Sequence, residues 1–142
     1  MSVTMSVTLP FEVPAQAGPP PPAAALSLLR QAEAGLMEAE RLADPSRRYA
    51  AAHLAALRAG AAVLAVRALP EKRGRGGRSV WQLLVAVVPE LSEWAAFFAA
   101  GSATRAAAEA GITRLVNDRA ADDLVRQAGQ FLSVSRGLVR SR

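Results

Sequence analysis

Two residues of this 142-residue chain, Arg48 and His53, have side chains that could act together on a phosphate group. A histidine near its ordinary pKa can move a proton to or from a hydroxyl group, and an arginine can hold a phosphate. The chain has one histidine, so any mechanism that uses two imidazoles needs two chains. This pair decides whether an enzyme can be argued from the sequence.

A second set of candidate residues lies in the basic segment PEKRGRGGR, which spans residues 70–78. Three glycines and a proline in nine residues predict a mobile loop. Arginines in such a loop can bind the phosphate backbone of RNA or DNA, although no aromatic residue is present to stack on bases. A solvated linker with no ligand is the alternative interpretation. The candidate nucleic-acid-binding residues are Lys72, Arg73, Arg75 and Arg78.

Helical periodicity predicts the elements that position both sets of residues. A first helix is expected over residues 23–43 and a second over residues 45–69, which carries Arg48 and His53. Asp44 can cap the second helix, because its carboxylate can accept from the free amides of the first turn. A stripe with helical spacing is expected to face a partner helix; it consists of Leu54, Leu57, Ala61, Leu64 and Ala68.

Three more helices are predicted after the basic segment. Ser79 and Gln82 form a capping-box pattern that begins a short helix ending at Val87. A fourth helix begins at Pro89 and is expected to run to a left-handed stop at Gly111. A fifth begins between residues 113 and 118 and frays by Arg140.

The fold predicted from these elements is all-α: an antiparallel bundle of four long helices and one short helix. Strand signals are absent apart from one apolar run, residues 83–88, which has no second strand to pair with. The bundle is expected over residues 23–140. Residues 1–22 contain a GPPPP sequence and are predicted to form a disordered, proline-rich arm.

Composition narrows the classes of function further. The chain has no cysteine, so disulfides and thiol chemistry are excluded, and its net charge of +5 permits anionic partners. Charged residues interrupt the most apolar windows, so no membrane span is expected, and the amino terminus lacks the features of a secretory signal. We therefore expect a cytoplasmic protein with no membrane partner.

Neither a metal nor a cofactor is predicted. The acidic residues Asp122, Asp123, Glu90 and Glu93 lack the spacing of a ligand set, and electrostatics at helix starts explains them. No glycine-rich loop has the pattern that cradles phosphates. The large aromatic residues have helical spacing typical of a core, with Phe97 or Trp81 available for a dimer face.

Most of the chain from Asp44 to about Leu138 resembles a small actinobacterial branch of the HEPN superfamily, the higher eukaryote and prokaryote nucleotide-binding domains. The resemblance lies in the runs PSRRYAAAHLAALRAGAAVLAVRA, PELSEWAAFFAAGSATRAAAEAGITR and ADDLVRQAGQFL. It implies an all-α bundle, commonly a homodimer. Many HEPN domains are RNases, and others are non-catalytic modules that bind RNA or a protein partner.

The RNase motif of that superfamily is an arginine, four to six residues, and a histidine, and Arg48 and His53 match this spacing. Three features weigh against catalysis: Tyr49 replaces a small polar residue, the motif lies in an early helix, and five residues turn a helix by about 140°. His53 could instead be hydrogen-bonded and inert. The preferred hypothesis is a non-enzymatic HEPN-like module that binds nucleic acid or a protein. The alternative is a metal-independent endoribonuclease that uses the pair across a dimer.

Overall fold

The computed structural model describes residues 19–67 and 78–141. Within these two ranges the regular structure is entirely helical, which confirms the predicted all-α class. A 3-10 turn at Pro89–Leu91 joins the third helix to the fourth. The α-helices are α1 (Ala23–Arg41), α2 (Pro45–Arg67), α3 (Val80–Val87), α4 (Ser92–Ala100), α5 (Ser102–Glu109) and α6 (Asp118–Ser141).

Two predicted helix starts are confirmed by their capping bonds. The Asp44 carboxylate accepts from the backbone amide of Arg47 at 2.9 Å, so it caps the first turn of α2. At the start of α3 the Ser79 hydroxyl accepts from the Gln82 amide at 3.1 Å. The Gln82 side chain accepts from the Ser79 amide at 2.9 Å in return. Both signals depend only on residues three apart, which is why the sequence predicts them correctly.

The predicted stop at Gly111 is also confirmed. Gly111 has a φ of +93°, a conformation that a residue with a Cβ adopts only under strain. Its amide donates to the Ala108 carbonyl at 3.0 Å, and the next amide, of Ile112, donates to the Ala107 carbonyl at 2.9 Å. These two bonds form a Schellman motif, which satisfies the last carbonyls of α5.

The predicted fourth helix, by contrast, is two helices. It breaks at Gly101, between the end of α4 and the start of α5. The described fold therefore has three long helices, of 19, 23 and 24 residues, and three short ones of eight or nine residues. The prediction of four long helices and one short helix is wrong on this point, and the break lies beside Tyr49 and His53 of α2.

The helix directions differ from a fully antiparallel bundle. Arg48, in the first turn of α2, contacts Asp118 and Asp122 in the first two turns of α6. These two helices therefore begin at the same end of the bundle and run parallel, while α1 runs antiparallel to both. The prediction of an antiparallel bundle fails for α2 and α6, because α3, α4 and α5 carry the chain back from the end of α2 to its beginning.

Helix α2 is the centre of the fold and packs against α1, α3, α5 and α6. Of the predicted stripe, Leu64 is buried while Leu54, Leu57 and Ala61 are half-buried. The buried surface runs instead through small side chains, because alanine lets neighbouring helix backbones approach closely. The fully or almost fully buried alanines are Ala52, Ala55, Ala56, Ala59 and Ala62. A cluster of rings fills the space beside them, with Phe98 5.2 Å from Trp81 and 5.3 Å from Phe131 between ring centroids.

One described helix, α2, is long and apolar enough to cross a membrane when it is judged by length and composition alone. This differs from the expectation that its charged residues exclude it. Half of its most apolar window is buried against the other helices, as in the core helix of a soluble protein. The absence of a membrane partner remains a prediction.

Candidate functional site

Arg48 lies at the start of α2, where the α1–α2 turn meets the beginning of α6. It is 8% exposed, and its guanidinium group donates four hydrogen bonds. Nε donates to Asp122 at 3.1 Å and Nη2 to Asp118 at 2.9 Å. Nη1 donates to the carbonyl oxygens of Leu42 at 2.8 Å and Ala43 at 3.1 Å. The side chain thus joins three segments of the fold.

The negative charges of Asp118 and Asp122 around Arg48 disfavour the binding of a phosphate group. Its pKa is raised, chiefly by the hydrogen bond to Asp118 and by the charge of Asp122, against the opposing effect of burial. Two carboxylates face one guanidinium, so the local charge is negative when all three groups are ionised. An incoming phosphate would have to displace both carboxylates.

His53 lies one and a half turns further along α2 and is fully buried. Its Nε2 is 2.7 Å from the Phe98 carbonyl oxygen. A carbonyl only accepts, so Nε2 carries the ring proton and donates it. The ring stacks on Tyr49 and meets Trp81 and Phe98 edge-on, with centroid distances of 6.3, 5.9 and 5.9 Å. Its other nitrogen, Nδ1, is buried and has no hydrogen-bond partner among the described residues.

Burial also lowers the pKa of His53. The positive charge of Arg105 acts in the same direction, and the hydrogen bond to the Phe98 carbonyl opposes both. The imidazole is therefore neutral at pH 7, with its basic Nδ1 shielded from solvent. A substrate hydroxyl group cannot reach this nitrogen in the described conformation.

The break at Gly101 lies beside this buried histidine. In a continuous helix the Phe98 carbonyl would accept from the amide four residues later. Here it accepts from the Gly101 amide at 3.0 Å and from His53 at 2.7 Å. A Cβ atom built on Gly101 would lie 2.5 Å from the Tyr49 hydroxyl oxygen and 3.3 Å from the His53 ring. The Tyr49 hydroxyl occupies the space that such a side chain would need.

The structure does not bring the two candidate catalytic residues together. Arg48 contacts the α1–α2 turn and α6, whereas His53 contacts the end of α4. This divergence agrees with the rotation that five residues produce along a helix. The sequence alone does not show that Asp118 and Asp122 bind Arg48 or that the Phe98 carbonyl binds His53, because these partners lie 45 to 74 residues away.

Three of the four candidate nucleic-acid-binding residues, Lys72, Arg73 and Arg75, fall outside the described residues. The fourth, Arg78, is exposed just before α3. It has no hydrogen bond or ion pair to residues 19–67 or 79–141. The proposed role of the basic segment therefore remains a prediction.

Two shallow cavities of the described surface lie near the acidic residues that the sequence analysis considered as metal ligands. One, of about 650 Å³, lies beside Arg48 and includes Asp122 and Arg126 in its wall. The other, of about 600 Å³, lies between Glu90, Glu93 and the half-buried Trp94. In the part of the chain that the structure describes, no three histidine, aspartate or glutamate residues are grouped so that they could hold a metal ion. Asp122 pairs with Arg48, Asp123 with Arg126 and Glu90 with Arg67, so ion pairing accounts for these acids.

Comparison with known proteins places the chain in a family. The model of the SAV_6107-like HEPN family matches residues 39–136, which is more than half of the chain. The match runs from the end of α1 through the Arg48 and His53 sites and into the last turns of α6. No curated protein and no solved structure matches. The chain therefore belongs to the HEPN superfamily, within the SAV_6107-like HEPN family.

Proposed function

We propose that this protein is a non-catalytic HEPN module that binds nucleic acid. The absence of catalysis is proposed from the contacts of the Arg48 and His53 side chains. The arginine is neutralised by two carboxylates, and the histidine is buried with its proton on a backbone carbonyl. Both side chains act as structural groups, so neither is free to bind a phosphate or to move a proton.

Charge supports nucleic acid as the partner. The chain carries 17 basic and 12 acidic residues, and four of the basic ones lie in the segment 70–78. Arginines that neutralise phosphates give affinity without sequence specificity. Binding should therefore weaken steeply with salt. A protein that binds only another protein would lack this salt-dependent affinity for RNA or DNA.

A cleavage assay tests the proposal that the protein is non-catalytic. Purified protein is incubated with single-stranded RNA in EDTA over a range of protein concentrations, and no cleavage is expected. The alternative function, a metal-independent endoribonuclease across a dimer, requires cleavage that rises with dimer concentration. It also requires loss of cleavage in Arg48→Ala and His53→Ala but not in Arg47→Ala, a variant of the exposed neighbour. That pattern would overturn the proposal.

A binding titration tests the proposal that the protein binds nucleic acid. Fluorescence anisotropy with a labelled single strand of RNA is measured at several salt concentrations. Replacing Lys72, Arg73, Arg75 and Arg78 by glutamine should remove most of the affinity. It should also reduce the slope of log K against log salt by about three units. A wild-type protein that binds neither RNA nor DNA at low salt would refute nucleic acid as the partner.

We also propose that the module forms a homodimer. Of the two aromatic residues predicted for a dimer face, Trp81 is 3% exposed and belongs to the core. Phe97, on α4, is 46% exposed, and Val85, on α3, is 47% exposed. These side chains would lose exposed apolar area in a contact between two copies.

A further inference from the structure

A pair of arginines flanks an ion pair that joins α1 to α6. Arg136 of α6 donates from both Nε and Nη2 to the Glu33 carboxylate of α1, with Nε at 3.1 Å. Arg30 lies three residues before Glu33, and Arg140 lies four residues after Arg136. Residues three or four apart share a helix face. Because α1 and α6 are antiparallel, Arg30 and Arg140 both lie one turn beyond the ion pair, at the same end of the bundle.

These residues form a cluster with excess positive charge, which we call the α1–α6 basic cluster: Arg30, Arg136 and Arg140. Arg30 and Arg140 are exposed, and neither has an ion pair or side-chain hydrogen bond to any other described residue. Helix α6 has no acidic residue after Asp123, and Glu33 is the first acidic residue of α1. Three guanidinium groups therefore face a single carboxylate.

The opposite end of the bundle has a different distribution of charge. There acidic residues are interspersed with the basic ones: Arg48 pairs with Asp118 and Asp122, and Arg126 pairs with Asp123, while the exposed Arg47 and Arg114 have no ion pair to another described residue. Positive and negative charges cancel over short distances at that end, so its field is weak beyond the first contacts. The field that would attract a polyanion originates at the end with the α1–α6 basic cluster.

We propose that the α1–α6 basic cluster binds the phosphate backbone of a single nucleic acid strand. This inference rests on the proposed function.

The surface around the cluster suits phosphates rather than bases. The sole aromatic residue of α1 and α6, Phe131, is fully buried, so no ring is available for base stacking. Gly137, between Arg136 and Arg140, is exposed, and a Cβ atom built on it would contact nothing within 4 Å. The backbone of α6 is therefore open to a strand that lies across it. Recognition by this surface should be independent of base sequence.

The test compares two double variants with equal changes in charge. Arg30→Gln/Arg140→Gln removes the two unpaired arginines of the cluster. Arg47→Gln/Arg114→Gln removes two exposed arginines at the opposite end. Affinity for a labelled single strand is measured over a salt series, with one sequence prepared both as RNA and as DNA. Because all four positions are exposed, both variants should unfold at the wild-type temperature.

The cluster variant should lose affinity at low salt by on the order of tenfold or more, and its salt slope should fall by about 1.4 units. The control variant should lose less than threefold. The loss should be equal for RNA and DNA, because both strands present the same phosphates. A loss confined to one strand, or equal losses in the two variants, would overturn the assignment of the cluster.

A gain of affinity provides the second readout. Glu33→Gln removes the carboxylate that neutralises Arg136, so it should strengthen binding and steepen the salt slope by about 0.7 units. Unchanged or weaker binding by this variant would contradict the proposal. These outcomes differ from a failure of the proposed function, in which the wild-type protein itself would not bind either strand.

Discussion

The Tyr49 hydroxyl occupies the space beside Gly101 so fully that a methyl group on this glycine would lie 2.5 Å from the hydroxyl oxygen. We predict that Gly101→Ala lowers the free energy of unfolding by about 1–3 kcal/mol, because α4 or the tyrosine must shift. Urea unfolding monitored by circular dichroism measures this cost. In a Tyr49→Phe background the clash is smaller, so Gly101→Ala should cost less there.

A matched glycine on α6 provides the control. Gly137 is exposed and has open space where its side chain would be. Gly137→Ala should leave stability unchanged or raise it by up to about 1 kcal/mol, since alanine favours a helix more than glycine does. Equal effects of the two substitutions would show that helix propensity, rather than the Tyr49 contact, determines the result.

A second prediction concerns the pH dependence of stability. The pKa of His53 is lower in the folded protein than its unfolded value of about 6.5, so the unfolded state binds the proton more tightly. The contribution of His53 is therefore fully present above pH 6.5. It is lost as pH falls from there toward the folded pKa, with a slope of at most about 1.4 kcal/mol per pH unit.

Urea unfolding at a series of pH values between 5 and 8 measures this dependence. His53→Gln keeps an N–H group for the Phe98 carbonyl but does not titrate, so the difference between wild type and variant isolates the imidazole. His53→Phe serves as a second non-titrating variant. A wild type whose stability follows that of both variants in parallel across this range would show that the histidine is not buried as described.

A third prediction concerns Arg48. Replacing it with alanine removes four hydrogen bonds and leaves the Leu42 and Ala43 carbonyls without their donor, so the loss of stability should be about 3 kcal/mol. Asp122→Asn should cost less than about 1 kcal/mol, because the Asp122 side chain is 65% exposed. Comparable losses in the two variants, measured by urea unfolding, would contradict the structural role that we assign to the guanidinium.

A fourth prediction concerns the proposed homodimer. Phe97→Ser should shift the sedimentation equilibrium toward the monomer, because it removes an exposed ring from the α3–α4 surface. Met37→Ser is the matched control, since Met37 is 57% exposed on α1. A monomeric wild type would refute the dimer, and an equal shift in both variants would refute this location for its interface.

The sequence predicts correctly those features that depend on near neighbours. The Asp44 cap, the Ser79–Gln82 capping box and the Gly111 stop each involve residues within five positions of one another. The HEPN fold class follows from the helical periods and from the resemblance of the long runs.

Features that depend on distant residues are missed. No residue near Gly101 in the sequence indicates that His53, 48 positions earlier, donates a hydrogen bond to the Phe98 carbonyl at the break between α4 and α5. The direction of α6 relative to α2 depends on how three short helices turn, and no local pattern encodes this. The acidic partners of Arg48 are likewise 70 and 74 positions away, so the sequence near Arg48 does not indicate its ion pairs with α6.

The parallel arrangement of α2 and α6 has a consequence for how the chain acquires its structure. Helices α1 and α2 are joined by three residues and can pair early, whereas the contact of Arg48 with Asp118 must close a loop of 70 residues. Such non-local contacts slow folding, because the entropy of closure is lost before the contact forms. The last fully buried side chain is Val139, so a nascent polypeptide cannot complete its core until α6 has been synthesised almost to its end.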